Sequence, residues 1–333
     1  MSSQLNITVG DAFEMFLLAK RAENVQRGTI RNYKWTQGYW QERVGNSFAL
    51  SEVTPDIVRH FMLWLQGETQ ENIPAPKMKG ATARIHFRNL HAFFNWCAAE
   101  EILSRTPMRN VKPPIVEDVI PDALEETEVV NLLDQAKNNG DRNSFRDYVI
   151  LLCLLATGIR LEEIGNLDLD DVNWAKGTIK VMGKERRERI VPMGALLAKE
   201  LRKYVLQYRH ANEGETALLV NEYGQRLLAR GIQSMVIRDL KKYVSRKLNR
   251  TGPHTLRHTF GFLRDRHGEN IRETQVIMGH TNVTTTERYS RYNMMKMING
   301  DTPSGRESLS PVDRLIKPRQ RNRKRDSLPP TKE

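Results

Sequence analysis

"GPHTLRHTFGFLRDRHGENIRETQVIMGHTNVTTTERYSRY", residues 252–292, carries four of the chain's eight histidines and two tyrosines three positions apart. Helical periodicity predicts helices over 253–266 and 271–278. His254 and His258 are four apart, which is metal-ligand spacing on a helix. A zinc hydrolase would want a glutamate directly after the first histidine, and Thr255 stands there with no third ligand in view. His254 and Arg257 are three apart and reach one common point. An arginine supplies charge and a donor fork, and a histidine supplies a donor or a proton relay, so the pair suits a phosphate. Thr284 and Glu287 fit a capping box, which starts a short helix near residue 285. Tyr289 then falls in its first turns and Tyr292 one turn further on the same side.

Working outward, "ATGIRLEE" (156–163) places Arg160 after a tight turn at a helix start, where the exposed N–H groups favour an anion. Glu163, one turn on, can hold the guanidinium. In isolation, the plainer reading of this pair is a surface ion pair worth little. "GTIKVMGKERRERIVPM" (177–193) alternates apolar and polar residues around a turn and predicts a β-hairpin with Lys184 at its tip. A lysine on such a tip is solvated or reaches a partner as a proton donor, and nothing local decides between the two.

Before these segments lie the predicted helices "DALEETEVVNLLDQAK" and "SFRDYVILLCLLATG", the second ended by Gly158. Further helices are predicted over 194–210 and 228–248. The first hundred residues carry four apolar stripes, at 8–20, 27–45, 54–67 and 80–101, with Thr54-Pro55 as N-cap and first helical residue. Arg27, Arg31, Lys34, Lys77, Lys79, Arg84 and Arg88 lie on polar faces and loops of this part. They read equally well as a solvated surface and as a face that grips phosphates. "SRTPMRNVKPP" (104–114) has three prolines and three basic residues, Lys112 among them, and reads as an extended basic linker. From about residue 300 the chain is rich in Pro, Ser and Arg and reads as largely disordered. Within it, "LSPVDRLIKP" offers a short helix, and "KPRQRNRKR" (317–325) is either a backbone contact or a solubilising tail.

The formal net charge is +12 in 333 residues, with ten Lys+Arg against five Asp+Glu in residues 293–333. A polyanionic partner is the natural reading, and charge alone does not separate nucleic acid from a membrane surface or from a role in solubility. The longest apolar run, "YVILLCLLATGI" (148–159), is too short for a bilayer, which needs roughly 20 residues. The N-terminus lacks the basic flank and apolar core of a signal peptide. Cys97 and Cys153 sit far apart in apolar helical contexts and read as buried free thiols in a reducing compartment. These features predict an intracellular, cytoplasmic protein.

Taken together, Arg160, Lys184, His254, Arg257, His280 and Tyr289 occur in the order found in the tyrosine recombinases, the phage integrase and Xer family, which this chain resembles over roughly residues 8–292. Arg257 and His280 are 23 apart and His280 and Tyr289 are 9 apart, as in many Xer-type members. "ATGIRLEEIGNLDLDDVN" is similar to the family's first-arginine box, "VMGKERRERIVPM" to its hairpin lysine box, and residues 252–292 to the box ending in the nucleophile.

The resemblance implies a mainly α fold with a small β-hairpin or sheet, built as a two-domain DNA clamp. A helical, SAM-like core-binding domain would occupy 1–103, a basic linker 104–120, the catalytic domain 121–299 and a basic tail 300–333. It implies Tyr289 as nucleophile, with Tyr292 as a packing or DNA-contact residue and the fallback. Arg160, Arg257 and His280 would stabilise the phosphate oxygens, His254 would act as base and Lys184 as general acid. Glu163 would orient Arg160. Cleavage would leave a 3′-phosphotyrosyl link and a free 5′-hydroxyl, with no ATP, cofactor or metal.

The implied partners are double-stranded DNA with inverted-repeat core sites and further copies of the chain, a dimer per site and a tetramer on two duplexes. The implied location is the nucleoid, with no membrane. Arg27, Arg31, Lys34, Lys77, Lys79, Arg84, Arg88 and Lys112 are then candidate DNA contacts. The helices start near residue 8, without the extra amino-terminal module of some phage integrases, which favours action on core sites alone. A type IB topoisomerase shares the chemistry, and the core-binding domain and Xer-like spacings argue against it. A non-catalytic DNA-binding protein on a decayed recombinase fold is the reading from another class, and the intact set of six positions argues against it.

Overall fold

The computed structural model describes residues 7–68, 74–116, 121–138, 142–183, 188–279 and 310–316. The chain divides into two compact units, Met1–Val119 and Ile120–Glu333. Among the described residues, no helix is long and apolar enough to cross a membrane.

The first unit contains helices α1 (Val9–Ala22), α2 (Arg27–Arg43), α3 (Pro55–Gln66) and α4 (Gly80–Ala99). Local chemistry sets their ends. Thr8 caps α1 by accepting from the Asp11 N–H at 3.1 Å, and Asp11 accepts in return from Thr8 N–H at 3.4 Å. Thr54 caps α3, Pro55 is its first residue, and Gly67 at φ +87° ends it. The core is aromatic. Phe13 stacks on Phe93 with centroids 3.7 Å apart, and Trp40 packs on Phe61 and Phe94.

Inside this core sits one polar cluster. Asn89 Nδ2 donates to Thr36 Oγ1 at 2.8 Å, and Thr36 Oγ1 lies 2.9 Å from His86 Nδ1. The Thr36 hydroxyl also donates to the Asn32 carbonyl at 3.1 Å, which leaves Nδ1 as the donor to Thr36. His86 is fully buried, and burial lowers its pKa to about 4.

The stretch expected as a linker from residue 104 partly belongs to this unit. Met108 and Val111 are buried in the same core. Burial of apolar surface draws these two residues in despite the prolines around them.

The second unit is built around α6 (Arg142–Thr157), whose residues Tyr148 to Ala156 are all buried. Being apolar all round, this helix needs cover on every side. It receives it from α5 (Glu126–Asn138), α8 (Ala195–Gln207), α9 (Ala229–Tyr243), α10 (Pro253–Arg266) and α12 (Pro311–Leu315). Each fully buried large aliphatic side chain here contributes ~1.5–3 kcal/mol. Gly158 ends α6 at φ +61°, and a Cβ there would strike the Phe260 ring. Only glycine serves there, both for the turn and for the close approach. Helices α7 (Leu161–Gly165) and α11 (Ile271–Met278) complete the described α-helices of this unit.

The hairpin forms as the alternation predicts. Strands β2 (Thr178–Met182) and β3 (Glu188–Pro192) pair antiparallel, with Ile179 opposite Val191 and Val181 opposite Arg189. A two-residue strand β1 (Val172–Asn173) joins β2, so the sheet has three strands in the order β1-β2-β3. Helix α9 stops at Tyr243, short of the 248 expected. The chain beyond is held by tertiary bonds instead: Arg246 Nη2 donates to the Ala123 carbonyl at 2.6 Å, and Arg250 N–H donates to Asp122 at 3.0 Å.

Within the tail expected to be disordered, residues 310–316 are instead packed. Val312 and Ser310 are buried. Asp313 accepts from the Ala195 and Leu196 N–H groups at 2.8 and 3.3 Å, capping α8 from 118 residues away. A buried valine and a satisfied helix terminus outweigh the polar composition of the tail. The short helix offered by "LSPVDRLIKP" is thus present at Pro311–Leu315. Cys97 and Cys153 are buried and free, and burial pushes both thiols up to about 12.

Candidate active site

The site grows from the end of α6. The turn at Gly158 delivers Arg160 to the N-cap of α7, and α7 places Glu163 one turn on. Glu163 is buried at 6% exposure. Its two oxygens accept four hydrogen bonds. Oε2 takes the Arg160 backbone N–H at 2.7 Å and Arg189 Nη2 at 2.7 Å. Oε1 takes Arg160 Nη1 at 2.9 Å and Arg189 Nη1 at 2.8 Å. Burial by itself would raise this carboxyl's pKa. The hydrogen bonds from Arg189 and Arg160 outweigh it and hold the group below the usual carboxylate range.

The C-terminus of α11 forms the other wall. Its last carbonyls have no partner within the helix and carry the negative end of the helix dipole. Three arginines from three elements meet them in succession. Arg189 Nε donates to the Ile277 carbonyl at 2.8 Å, Arg257 Nη2 to that of Met278 at 2.7 Å, and Arg160 Nη2 to that of Gly279 at 2.8 Å. Arg257 Nη1 also donates to the Gly158 carbonyl. Gly279 ends α11 at φ +63°, and the next residue in the chain is His280.

His254 stands on the first turn of α10, one turn before the buried Arg257, with its side chain exposed. Loss of hydration on the covered side of its ring lowers its pKa, and the charges of Arg257, Arg160 and Arg250 lower it further. Both effects favour the neutral form of the ring, the form that can accept a proton.

Of the expected site residues, the structure brings Arg160, Glu163, Arg257 and His254 into this region. Lys184, His280 and Tyr289 lie outside the described residues, as does the helix expected near 285. Among the described residues, no group of three or more His, Cys, Asp or Glu is placed to hold a metal. Arg189 was not among the expected site residues. Its signal was present in the alternation of β3, which puts it on the same inward face as Val191.

Of the candidate nucleic-acid contacts, Arg27, Arg31 and Lys34 are exposed on α2, Lys77 and Lys79 precede α4, and Arg88 is exposed on α4. Lys112 is exposed and Arg84 is half-buried. All eight belong to the first unit.

Comparison with known proteins bears on both units. The Phage integrase family profile matches residues 122–296, and the Phage integrase SAM-like domain profile matches residues 9–113. The chain is 34% identical to the tyrosine recombinase XerD of Staphylococcus haemolyticus, over 64% of this chain and 73% of that protein. It is 30% identical to the tyrosine recombinase XerC of Pelotomaculum thermopropionicum, over 76% of this chain and 82% of that one. In fold it is similar to the Tn1549 transposon integrase in complex with circular intermediate DNA, with a TM-score of 0.71 at 20% identity, covering 86% of this chain and 99% of that one. It is similar also to the XerH site-specific recombinase bound to a palindromic difH substrate, with a TM-score of 0.70 at 18% identity, covering 87% and 83%.

Proposed function

The chain belongs to the phage integrase family and is a tyrosine-type site-specific DNA recombinase, and from this we propose that Tyr289 cleaves a DNA strand at a phosphate gripped by Arg160, Arg257 and His280. The Tyr289 phenol attacks phosphorus and the bond to the 5′-oxygen breaks. His254 takes the phenol proton, and Lys184 gives a proton to the leaving 5′-oxygen. A 3′-phosphotyrosyl link and a free 5′-hydroxyl result. The new ester keeps the energy of the old one, so a 5′-hydroxyl from another strand reverses the step.

The observation that carries this reading is the convergence of Arg160 and Arg257 on the end of α11, one residue before His280. A phosphodiester transition state gains charge on its equatorial oxygens. Arginines held in advance stabilise that charge without reorganising. Free tyrosine, with a pKa near ~10, is a poor nucleophile and needs positive surroundings or a base. Burial and the neighbouring Arg257 and Arg160 charges favour the neutral form of His254, which supports its role as that base.

The exposed basic residues of the first unit are assigned to phosphate contacts along the duplex, where they position the protein without reading sequence. Two copies would occupy an inverted-repeat site, and a tetramer would hold two duplexes during exchange. The protein would work in the cytoplasm, on the nucleoid. The domain boundaries that go with this reading are a first domain from residue 1 that extends past 103 to include the buried Val111, a shorter basic connection up to about 120, and a catalytic domain over 121–299 on which residues 310–316 of the tail pack.

The test is covalent capture. The protein is incubated in EDTA with nicked genomic DNA fragments, and adducts that survive SDS are recovered and sequenced, with Tyr289→Phe in parallel. Adducts at one inverted-repeat sequence, lost in the variant, are expected. Adducts that persist in Tyr289→Phe would move the nucleophile, with Tyr292 first in line. Tight binding without adducts from the parent protein would overturn the catalytic reading. Sedimentation of the protein on the recovered duplex tests the dimer per site.

A further inference from the structure

Arg189 is an arginine in a position that the strand pattern assigns to an apolar side chain. Its neighbours on the inward face are Val191 and, across the register, Val181, both fully buried. Its own side chain is 12% exposed. Three of its donors are spent, two on Glu163 and one on the Ile277 carbonyl. A Cβ built on Gly279 would lie 3.2 Å from its Nε, Cζ and Nη1, so the peptide before His280 runs against the guanidinium.

We propose that Arg189 is a positioning residue for strand cleavage: a strut from β3 that sets the Arg160 guanidinium, through Glu163, and the peptide leading into His280. The proposal rests on the reading of Arg160 as a phosphate-binding residue.

A carboxylate offers about four acceptor directions, and at Glu163 four donors fill them. Arg189 takes one direction on each oxygen and fixes the plane of the carboxylate. Arg160 takes the other two and is oriented by that plane. Without Arg189, half of a buried carboxylate is unsatisfied, and Arg160 is its remaining partner. The carboxylate would then turn toward Arg160 and draw the guanidinium away from the substrate. Lysine cannot replace the planar fork, because it bonds as a point charge.

A buried ion pair is weak evidence for stability, since apolar residues of the same volume often stabilise as well. What the arrangement supplies is geometry. Strand β3, helix α7 and the end of α11 each carry a part of the site, and Arg189 is bonded to two of them while standing on the third.

The test uses the full chain and a duplex bearing the captured site with a nick beside the scissile phosphate. Arg189→Gln, Arg189→Lys, the double variant Arg189→Gln/Glu163→Gln and Arg160→Ala are compared with the parent. Single-turnover adduct formation at saturating DNA, DNA affinity and thermal unfolding are measured for each. The strut predicts that Arg189→Gln slows adduct formation on the order of 10²-fold, as small misplacements of reacting groups do, with DNA affinity within about twofold. Arg189→Lys should fall between the two.

The double variant separates positioning from mere support of the fold. It removes the buried charge, so melting recovers while the rate stays low. A rate that recovers along with melting overturns the positioning role. Arg189→Gln at the parent rate, beside an inactive Arg160→Ala, overturns the strut alone. Arg160→Ala at the parent rate, or no adduct from the parent itself, overturns the site reading and the strut with it.

Discussion

The guanidinium of Arg160 donates to the backbone carbonyl of Gly279 at 2.8 Å, 119 residues further along the chain. This bond ties the turn after α6 to the peptide before His280. Gly279 sits at φ +63°, where a side chain is strained, and a Cβ added there would lie 3.2 Å from the Arg189 guanidinium. Gly279→Ala is expected to lower stability by about 1–2 kcal/mol from backbone strain. It should also slow adduct formation, because the added methyl displaces the Arg189 guanidinium. Urea unfolding and single-turnover cleavage of the captured site measure the two effects.

His254 must be neutral to accept a proton, and its pKa lies below the ordinary histidine value. The apparent rate constant for adduct formation at limiting DNA should therefore rise with pH through a midpoint below ~6.5 and then level off. Arg250 is one of the charges that lower this pKa. Arg250→Gln removes that charge and should move the midpoint upward. A pH–rate profile of the parent and this variant checks the sign, and an unmoved midpoint would assign the titration to another group.

His86 makes the first unit sensitive to acid. Its ring is buried between Trp35 and Tyr39, with centroids 4.6 and 5.3 Å away, and its folded pKa is about 4. The unfolded chain binds a proton near ~6.5 that the folded chain refuses. Stability is thus full above that pH and is lost as the pH falls from about 6.5 toward 4, by on the order of 3 kcal/mol. Tryptophan fluorescence follows the first unit, which holds Trp35, Trp40, Trp64 and Trp96 of the chain's five tryptophans. His86→Phe should flatten the pH dependence of urea unfolding over this range.

Gly38 lies within α2, and a Cβ there would meet nothing within 4 Å. The fold does not require a glycine at this position. Gly38→Ala should stabilise the first unit by about 0.5–1 kcal/mol. Helical spacing puts it on the same stripe as Arg27, Arg31 and Lys34. A loss of duplex affinity in the stabilised variant would mark this stripe as a contact face. Unchanged affinity would remove α2 from the interface.

Asp313 caps α8 from outside its own segment. Asp313→Ala should cost about 1 kcal/mol of stability in the second unit, the usual effect of losing an N-cap. Truncation before residue 310 should cost more, since it also removes the buried Val312. Thermal unfolding of both variants provides the measurement.

The local features were legible from sequence alone. The apolar stripes, the Thr54-Pro55 start, the Gly158 stop and the alternation in 177–193 all act within a few residues of themselves, so the sequence determined where α1 to α8 and the hairpin would lie. The order Arg160, His254 and Arg257 could be read too, because side-chain type and spacing are properties of the chain.

What tertiary structure decided depends on partners far away in sequence. Arg189 carries the same alternation signal as any β3 residue, and its role appeared once Glu163 and the end of α11 were placed around it. Met108 and Val111 entered the first core despite a linker-like composition. Residues 310–316 packed despite a disorder-like one, because α8 offered two unpaired N–H groups and α6 an apolar surface. Helix α9 ended early because Asp122 and the Ala123 carbonyl hold the chain beyond it. In each case a local preference of about a kilocalorie or less per residue yielded to burial or to a satisfied polar group, whose worth is set by where distant residues come to rest.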